Sequence, residues 1–210
     1  MKRTGFDTMS PWLYPFYICR HPRDGFLELK ANKKASTPVV TVILIAWLFA
    51  EVLYRMAADF DMNNFSPDDV SLLRVSLTTI IIYAMVCLAN WCICTLMDGK
   101  GNMKEICVVA AFAMVPYIIA RLLATGLSWI FAGDEAVFIE YGVTITKIWG
   151  ALIAFSGLQE IHEYSFVKTL YSILLTIVGL IIMFFLALML LILFQQLYYF
   201  IVTIGFEIRY

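Results

Sequence analysis

Five long runs of apolar residues dominate the chain, and each is long enough to cross a lipid bilayer as a helix. A transmembrane helix needs about 20 mostly apolar residues. The predicted spans are Thr37 to Ala58, Leu72 to Met97, Ile106 to Phe131, Val137 to Leu158 and Leu170 to Phe194. The fourth run is the weakest, because it contains Glu140 and Lys147.

The composition favours lipid as the solvent of these runs. Of 210 residues, 62% are hydrophobic and 15% are charged, whereas a soluble domain carries about a quarter charged residues. The formal net charge is −1, and no interleaving of basic and aromatic residues indicates nucleic-acid binding. We therefore predict an all-α fold, a polytopic bundle of five transmembrane helices, with the lipid bilayer as a partner and no nucleic acid.

The charges between the spans alternate and predict an orientation. Cytoplasmic segments of membrane proteins are enriched in Lys and Arg. The arm before the first span and the second and fourth links hold most of the cations, which are Lys2, Arg3, Arg20, Arg23, Lys30, Lys33, Lys34, Lys100, Lys104 and Lys168. The first and third links are acidic, with Asp59, Asp61, Asp68, Asp69, Asp134 and Glu135. This alternation predicts a cytoplasmic N-terminus and an external C-terminus.

Three segments follow from this pattern. Residues 1–36 form a basic and aromatic cytoplasmic arm, residues 37–196 the five-span domain, and residues 197–210 an extracytoplasmic tail that extends the fifth helix or lies on the surface. Within the arm, the pair His21-Pro22 is typical of a helix start. Phe26, Leu27 and Leu29 give this segment an apolar side, and Lys30, Lys33 and Lys34 give it a basic one. The pattern predicts a short interfacial helix over 22–34. The alternative is a solvated basic tether.

Charged groups inside a membrane span usually face the bundle and find partners, and four of those in the predicted spans stand out. They are Glu51, Arg55, Arg121 and Lys147. At 1.5 Å per residue, Glu51 and Arg121 have similar depths of about 21 and 22 Å. We therefore predict that Glu51 pairs with Arg121, or with Arg55 one turn on, and that Lys147 joins the cluster. The cluster is either an ion or substrate site or an inter-helix clamp.

Small residues and one proline indicate how two of the spans pack. Thr146, Gly150, Ala154 and Gly157 recur at helical spacing in the fourth span and would allow another helix to come close. Pro116 removes a backbone hydrogen bond from the third span and predicts a kink there.

Residues that could carry chemistry are few. Gly99-Lys100-Gly101 lacks the Gly-Lys-Ser/Thr ending of a phosphate loop and is interpreted as a tight turn between spans. The segment from Glu160 to Glu163 has one histidine beside carboxylates and is interpreted as a surface loop rather than a metal site. We expect no catalytic residue, no metal and no cofactor, and therefore a protein that is not an enzyme.

Several motifs resemble the Yip-type domain, named for membrane proteins that interact with Ypt/Rab GTPases. They are the arm from Arg20 to Phe26, the turn from Asp98 to Glu105 with Pro116-Tyr117, and Trp149 followed by Gly157 to Ser165. The residues of these motifs that we single out are His21, Pro22, Phe26, Gly99, Gly101, Glu105, Pro116, Gly157, Glu160 and His162. The short arm is similar to the compact prokaryotic branch of the family.

The resemblance implies five spans, with the N-terminus in the cytoplasm and the C-terminus outside. It also implies a bacterial plasma-membrane protein that acts as a non-enzymatic adaptor or accessory subunit. Some members of the prokaryotic branch occur beside ABC transporters. A membrane-protein partner or a second copy would then bind the chain. The alternative is a small transporter or channel with a polar site among Glu51, Arg121 and Lys147.

Overall fold

The computed structural model describes residues 10–31, 36–57, 71–131 and 135–209. This part of the chain is helical and contains no strand. A 3₁₀ turn at Pro11–Leu13 precedes α1 (Tyr14–Arg20), α2 (Pro22–Ala31), α3 (Thr37–Ala57), α4 (Leu72–Leu96), α5 (Met103–Leu127), α6 (Ala136–His162) and α7 (Phe166–Arg209). The predicted fold class is confirmed, because α3 to α7 are each long and apolar enough to cross a membrane.

The two ends of the bundle differ. The arm end holds α1, α2 and the two links at residues 97–102 and 163–165, and the far end is the opposite one. At the arm end Asn102 begins α5 with a capping box, in which the Glu105 carboxylate accepts the Asn102 backbone N–H at 2.9 Å. At the far end the Ser71 hydroxyl caps α4 by accepting the backbone N–H of Arg74.

Helix α5 lies at the centre of the main core. It packs against α3 and α6, and its small residues bring the helices close. A Cβ added at Gly150 would lie 2.6 Å from the carbonyl oxygen of Ala113, so the predicted small-residue face of the fourth span does carry helix packing.

Helices α4 and α7 form a second pair that is held by polar contacts. The side-chain amide of Asn90 donates to Thr176 Oγ1 at 3.1 Å, and Cys94 Sγ lies 3.1 Å from Ser172 Oγ. Buried polar bonds of this kind join transmembrane helices. This pair packs closely with itself and more sparsely with α3, α5 and α6.

The N-terminal arm is packed into the bundle. Helix α1 contacts α5, and α2 contacts α6. Tyr14 and Ile18 of α1 and Phe26 of α2 are almost completely buried. The indole N–H of Trp149 donates to the carbonyl oxygen of Cys19 at 3.1 Å. Trp149 precedes the end of α6 by 13 residues, or about 20 Å, so α1 reaches well inside the fourth span.

Helix α7 is longer than a bilayer requires. Its 44 residues correspond to about 66 Å, against a hydrocarbon core of about 30 Å. The helix runs through Gln195 and Gln196 and continues over residues 197–209. Two arrangements of the tail were predicted, and the structure confirms the one in which the tail extends the fifth helix.

Candidate functional site

The motif residues of the arm and of the fourth span meet at the arm end. The backbone at His21 turns between α1 and α2, its N–H donates to Tyr17 O at 2.9 Å, and its ring stacks on Tyr17. Pro22 begins α2 as predicted. The ring of Phe26 then enters the space above Gly157, where a Cβ would lie 2.9 Å from Phe26 Cε2 and 2.6 Å from Val109 Cγ1. Only glycine leaves room for this three-helix contact.

The turn between α4 and α5 packs on the end of α6. Asp98 adopts a left-handed conformation with φ 56°, and Gly99 N–H donates back to Cys94 O at 2.8 Å. A Cβ at Gly99 would lie 2.5 Å from His162 Nδ1, and one at Gly101 would lie 2.8 Å from His162 Cε1. The prediction of a tight turn is confirmed, and its two glycines allow close approach to one histidine.

His162 is the centre of this arm-end cluster, which we define as Phe26, Gly99, Gly101, Gly157, Glu160 and His162. Its side chain is 2% exposed. Nδ1 accepts the backbone N–H of Gly101 at 3.2 Å, and the ring stacks on Tyr164 with centroids 5.2 Å apart. The interpretation of residues 160–163 as a surface loop is wrong: α6 continues to His162, because the α4–α5 turn covers its last residues.

Charged side chains of the arm tie α2 to the same helix end. Lys30 Nζ donates to the carbonyl oxygen of Ile161 and to Glu163 Oε1, both at 2.8 Å. A lysine at this position satisfies a terminal helix carbonyl and opposes the negative end of the helix dipole. Arg23 Nε lies 3.1 Å from Glu160 Oε1, so α2 is fixed to α6 at two points.

Glu163 joins the arm to the α4–α5 turn. It caps α6 in the left-handed conformation, and its second oxygen accepts from Lys100 Nζ at 2.5 Å. The hydrogen bond from Lys100, followed by that from Lys30, lowers the pKa of Glu163 to about 2. Next to it, burial raises the pKa of Tyr164 to about 12. The Tyr164 hydroxyl donates to Cys94 O and Met97 O, which closes the last turn of α4.

A second cluster lies inside the spans near the far end. Arg121 Nη1 pairs with Glu140 Oε1 at 3.1 Å, and the same oxygen accepts from the Tyr54 hydroxyl at 3.1 Å. The Arg121 guanidinium also stacks 3.4 Å from the centre of the Tyr54 ring, a cation–π contact that stabilises a desolvated cation. Arg121 therefore has a carboxylate partner as predicted, but the partner is Glu140 rather than Glu51.

Glu51 has a different partner in the same cluster. Its carboxylate accepts from the Tyr117 hydroxyl at 2.5 Å, and Lys147 Nζ lies 5.7 Å from the centre of the Tyr117 ring. Tyr117 follows Pro116, the proline inside α5. Glu51 and Arg55 both line a cavity between α3 and α4. Sequence reasoning missed Tyr54, Tyr117 and Glu140, although Glu140 matches Arg121 in depth.

The described residues give no set of metal ligands, since no group of three or more His, Cys, Asp or Glu side chains among them is suitably placed. The arm-end cluster and the ion pairs of Arg23, Lys30 and Lys100 hold α2, the α4–α5 turn and the end of α6 together.

The fold defines the class of this protein, which is a polytopic helical membrane protein with a structured N-terminal arm. The Yip1 domain matches residues 16–189, and the chain therefore belongs to the Yip1 domain family. No curated protein and no solved structure matches the chain.

Proposed function

We propose that this protein is a non-enzymatic membrane adaptor or accessory subunit, whose partner docks at the arm end. The observation that carries the proposal is the convergence of the arm-end cluster, in which motif residues from three distant parts of the chain build one rigid surface. A buried scaffold with an exposed charged rim suits recognition, since pre-organised surfaces lose less entropy on binding.

The exposed side of α2 is the proposed docking surface. Leu27 is 53% exposed there, while Phe26 and Leu29 on the opposite side fix the helix in the core. The Arg23 side chain beside it is 77% exposed. Arginine is enriched at protein interfaces, and an exposed apolar residue beside it, on a helix held to the bundle by its opposite side, offers a contact for another membrane protein.

The proposed orientation places this surface in the cytoplasm, at the inner face of a bacterial plasma membrane, with the C-terminus outside. The excess of Lys and Arg in the arm supports it. A subunit of an ABC transporter is the partner that the family resemblance favours, and a second copy of the chain is the other.

Photo-crosslinking tests the docking surface without removing any contact inside the fold. A photoreactive residue replaces Leu27, and in a matched variant it replaces Leu73, which is 73% exposed at the far end. We expect one partner to be captured at position 27 and to stay bound after detergent extraction. Equal capture at both positions, or none at 27, would contradict the proposal.

Transport is the second candidate function, and one observation favours it. Two cavities, of about 330 and 350 Å³, are both lined by Glu51 and Trp47. A charged residue that lines cavities inside the spans is typical of a substrate path. Flux of ions or small solutes into liposomes that contain only the purified protein would support transport over the adaptor role.

A further inference from the structure

Three cavities between the helices meet in series. The first lies between α3 and α4 at the far end and is lined by Glu51, Arg55 and Arg74. It shares Trp47 and Glu51 with the second cavity, which lies against Tyr117 and Lys147. The second shares small and apolar residues with a third cavity of about 260 Å³ among α4, α5, α6 and α7; these are Ala113, Met114, Ala151 and Ala154. We refer to these three adjoining cavities as the cleft.

The polarity of the cleft changes from one end to the other. At the far end, five of the eight lining residues are charged or hydroxyl-bearing, namely Glu51, Arg55, Arg74, Thr78 and Thr79. The third cavity is lined almost entirely by apolar side chains, and two of its polar ones, Asn90 and Thr176, are hydrogen-bonded to each other. A cleft that is cationic at one end and apolar at the other matches an amphiphile.

The two arginines lie near the far-end termini of α3 and α4. Arg55 is two residues before the end of α3, and Arg74 is two residues after the start of α4, so each lies about 3 Å from its helix end. Arginine is suited to phosphate oxygens because its guanidinium donates two parallel hydrogen bonds. The polar mouth of the cleft is therefore level with the headgroups of the far-end leaflet.

The length of the cleft fits the rest of such a molecule. Arg74 and Asn90 mark its two ends on α4 and are separated by 16 residues, which is about 24 Å. The acyl chains of one leaflet extend over about 15 Å, half of the hydrocarbon core. The cleft can thus hold a phosphate at its mouth and a full acyl chain below it.

Trp47 supplies an independent observation at the junction of the first two cavities. Its indole nitrogen Nε1 is buried and has no hydrogen-bond partner among the described residues. A buried donor without a partner is costly. An ester oxygen of a ligand in the cleft, below its phosphate, would satisfy it.

We propose that this cleft binds one membrane phospholipid, with its phosphate between Arg55 and Arg74 and an acyl chain in the apolar cavity among α4 to α7. The α4–α7 pair, which packs sparsely on the remaining helices, is then completed by the lipid. The binding is independent of the adaptor role: a partner lost from Leu27 would leave the lipid in place.

Lipid selectivity of the unaltered protein is the first test. The full chain is purified in mild detergent, and native mass spectrometry measures the phospholipid that it retains. Phosphatidylglycerol is then compared with diacylglycerol, which lacks the phosphate, and with inorganic phosphate alone as stabilisers in a thermal unfolding assay. We expect stabilisation by the phospholipid only. Equal stabilisation by diacylglycerol or by inorganic phosphate, or no retained phospholipid, would overturn the proposal.

Two variants test the two ends of the cleft separately. Arg74→Gln removes a charged donor, which should weaken phospholipid binding about ten- to a hundredfold. Ala154→Phe fills the junction of the second and third cavities without changing the charge, and should also reduce retention. The matched control is Lys104→Gln, which removes an exposed cation at the arm end and should retain wild-type lipid. Wild-type retention by both cleft variants would contradict the proposal.

Discussion

His162 Nδ1 accepts a hydrogen bond from the backbone N–H of Gly101, 61 positions earlier in the chain, at 3.2 Å. An accepting Nδ1 carries no proton, so the neutral ring has its proton on Nε2. That nitrogen is buried with no hydrogen-bond partner among the described residues. The ring therefore acts as a packing surface for the α4–α5 turn and contributes one hydrogen bond to it.

Close packing on this ring predicts that Gly99 cannot be enlarged. In Gly99→Ala the new Cβ would lie 2.5 Å from His162 Nδ1 and 2.8 Å from the carbonyl oxygen of Cys94. Relief of such overpacking costs about 1–3 kcal/mol, which thermal unfolding in detergent should detect. Gly142→Ala is the control, since a Cβ there meets no atom within 4 Å and alanine is the better helix former. If the two variants unfold alike, the turn does not pack as described.

The contact between Phe26 and Gly157 predicts a coupled pair. Gly157→Ala should destabilise the protein, because its Cβ would lie 2.6 Å from Val109 Cγ1 and 2.9 Å from Phe26 Cε2. Phe26→Leu shortens the side chain that meets the new methyl group, so the double variant should be more stable than the sum of the single effects predicts. Gly179→Ala, where the nearest atom is 3.5 Å away, should have little effect. Strict additivity of the two changes would show that they do not touch.

Acid should loosen the tie between the arm and the α4–α5 turn through Glu163. Its folded-state pKa of about 2 lies below the ordinary glutamate value of 4.5, so the carboxylate contributes stability that is fully present above pH 4.5. That contribution is lost as pH falls from 4.5 through about 2. We expect Glu163→Gln to lower the unfolding temperature at pH 7 and to differ little from wild type near pH 2.

Salt gives an internal control for this prediction. The Glu163 side chain is half exposed, and exposed ion pairs are screened as ionic strength rises. The difference between wild type and Glu163→Gln at pH 7 should therefore shrink in high salt. A difference that persists unchanged at low pH and in high salt would show that the charge of Glu163 is not the cause.

The spans could be predicted from the sequence because apolar length is a local property. The predicted ends of the spans are less accurate, since long-range contacts decide where a helix stops. Leu158 was the predicted end of the fourth span, yet the helix continues to His162. Lys30 and Gly101, which satisfy the polar groups at this end, come from remote parts of the chain, and no local pattern contains that information.

The partners of the intramembrane charges show a second limit. The similar depths of Glu51 and Arg121 predicted that these residues pair, but depth does not say how each helix is rotated about its axis. Glu51 faces Tyr117, and Arg121 faces Glu140. A tyrosine hydroxyl also donates to a buried carboxylate, and a depth comparison limited to charges overlooks it. The insertion of α1 into the bundle likewise had no periodic signal, since the helix has only seven residues.

Labelling of introduced cysteines should establish which side of the membrane each end occupies. We expect a membrane-impermeant thiol reagent, applied to intact cells after removal of the five native cysteines, to modify a cysteine at Leu73 near the far end. A cysteine at Lys100 should react only after the cells are opened, because the cations of the arm end favour the cytoplasm. Reaction at Lys100 in intact cells, with protection at Leu73, would invert the proposed orientation.

The two carboxylates of the far-end cluster should respond differently to the same change. Glu140→Gln leaves the Arg121 guanidinium inside the spans without its carboxylate, and breaking a buried ion pair from one side is strongly destabilising. Because the Glu140 side chain is 41% exposed, we expect a loss of about 1–3 kcal/mol, below the range for full burial. Glu51→Gln keeps an oxygen that can accept from Tyr117 and should be milder. Arg121→Gln combined with Glu140→Gln should recover part of the lost stability in thermal unfolding, because no lone charge remains. If Glu51→Gln destabilises the protein more than Glu140→Gln does, Glu51 is instead the carboxylate on which the cluster depends.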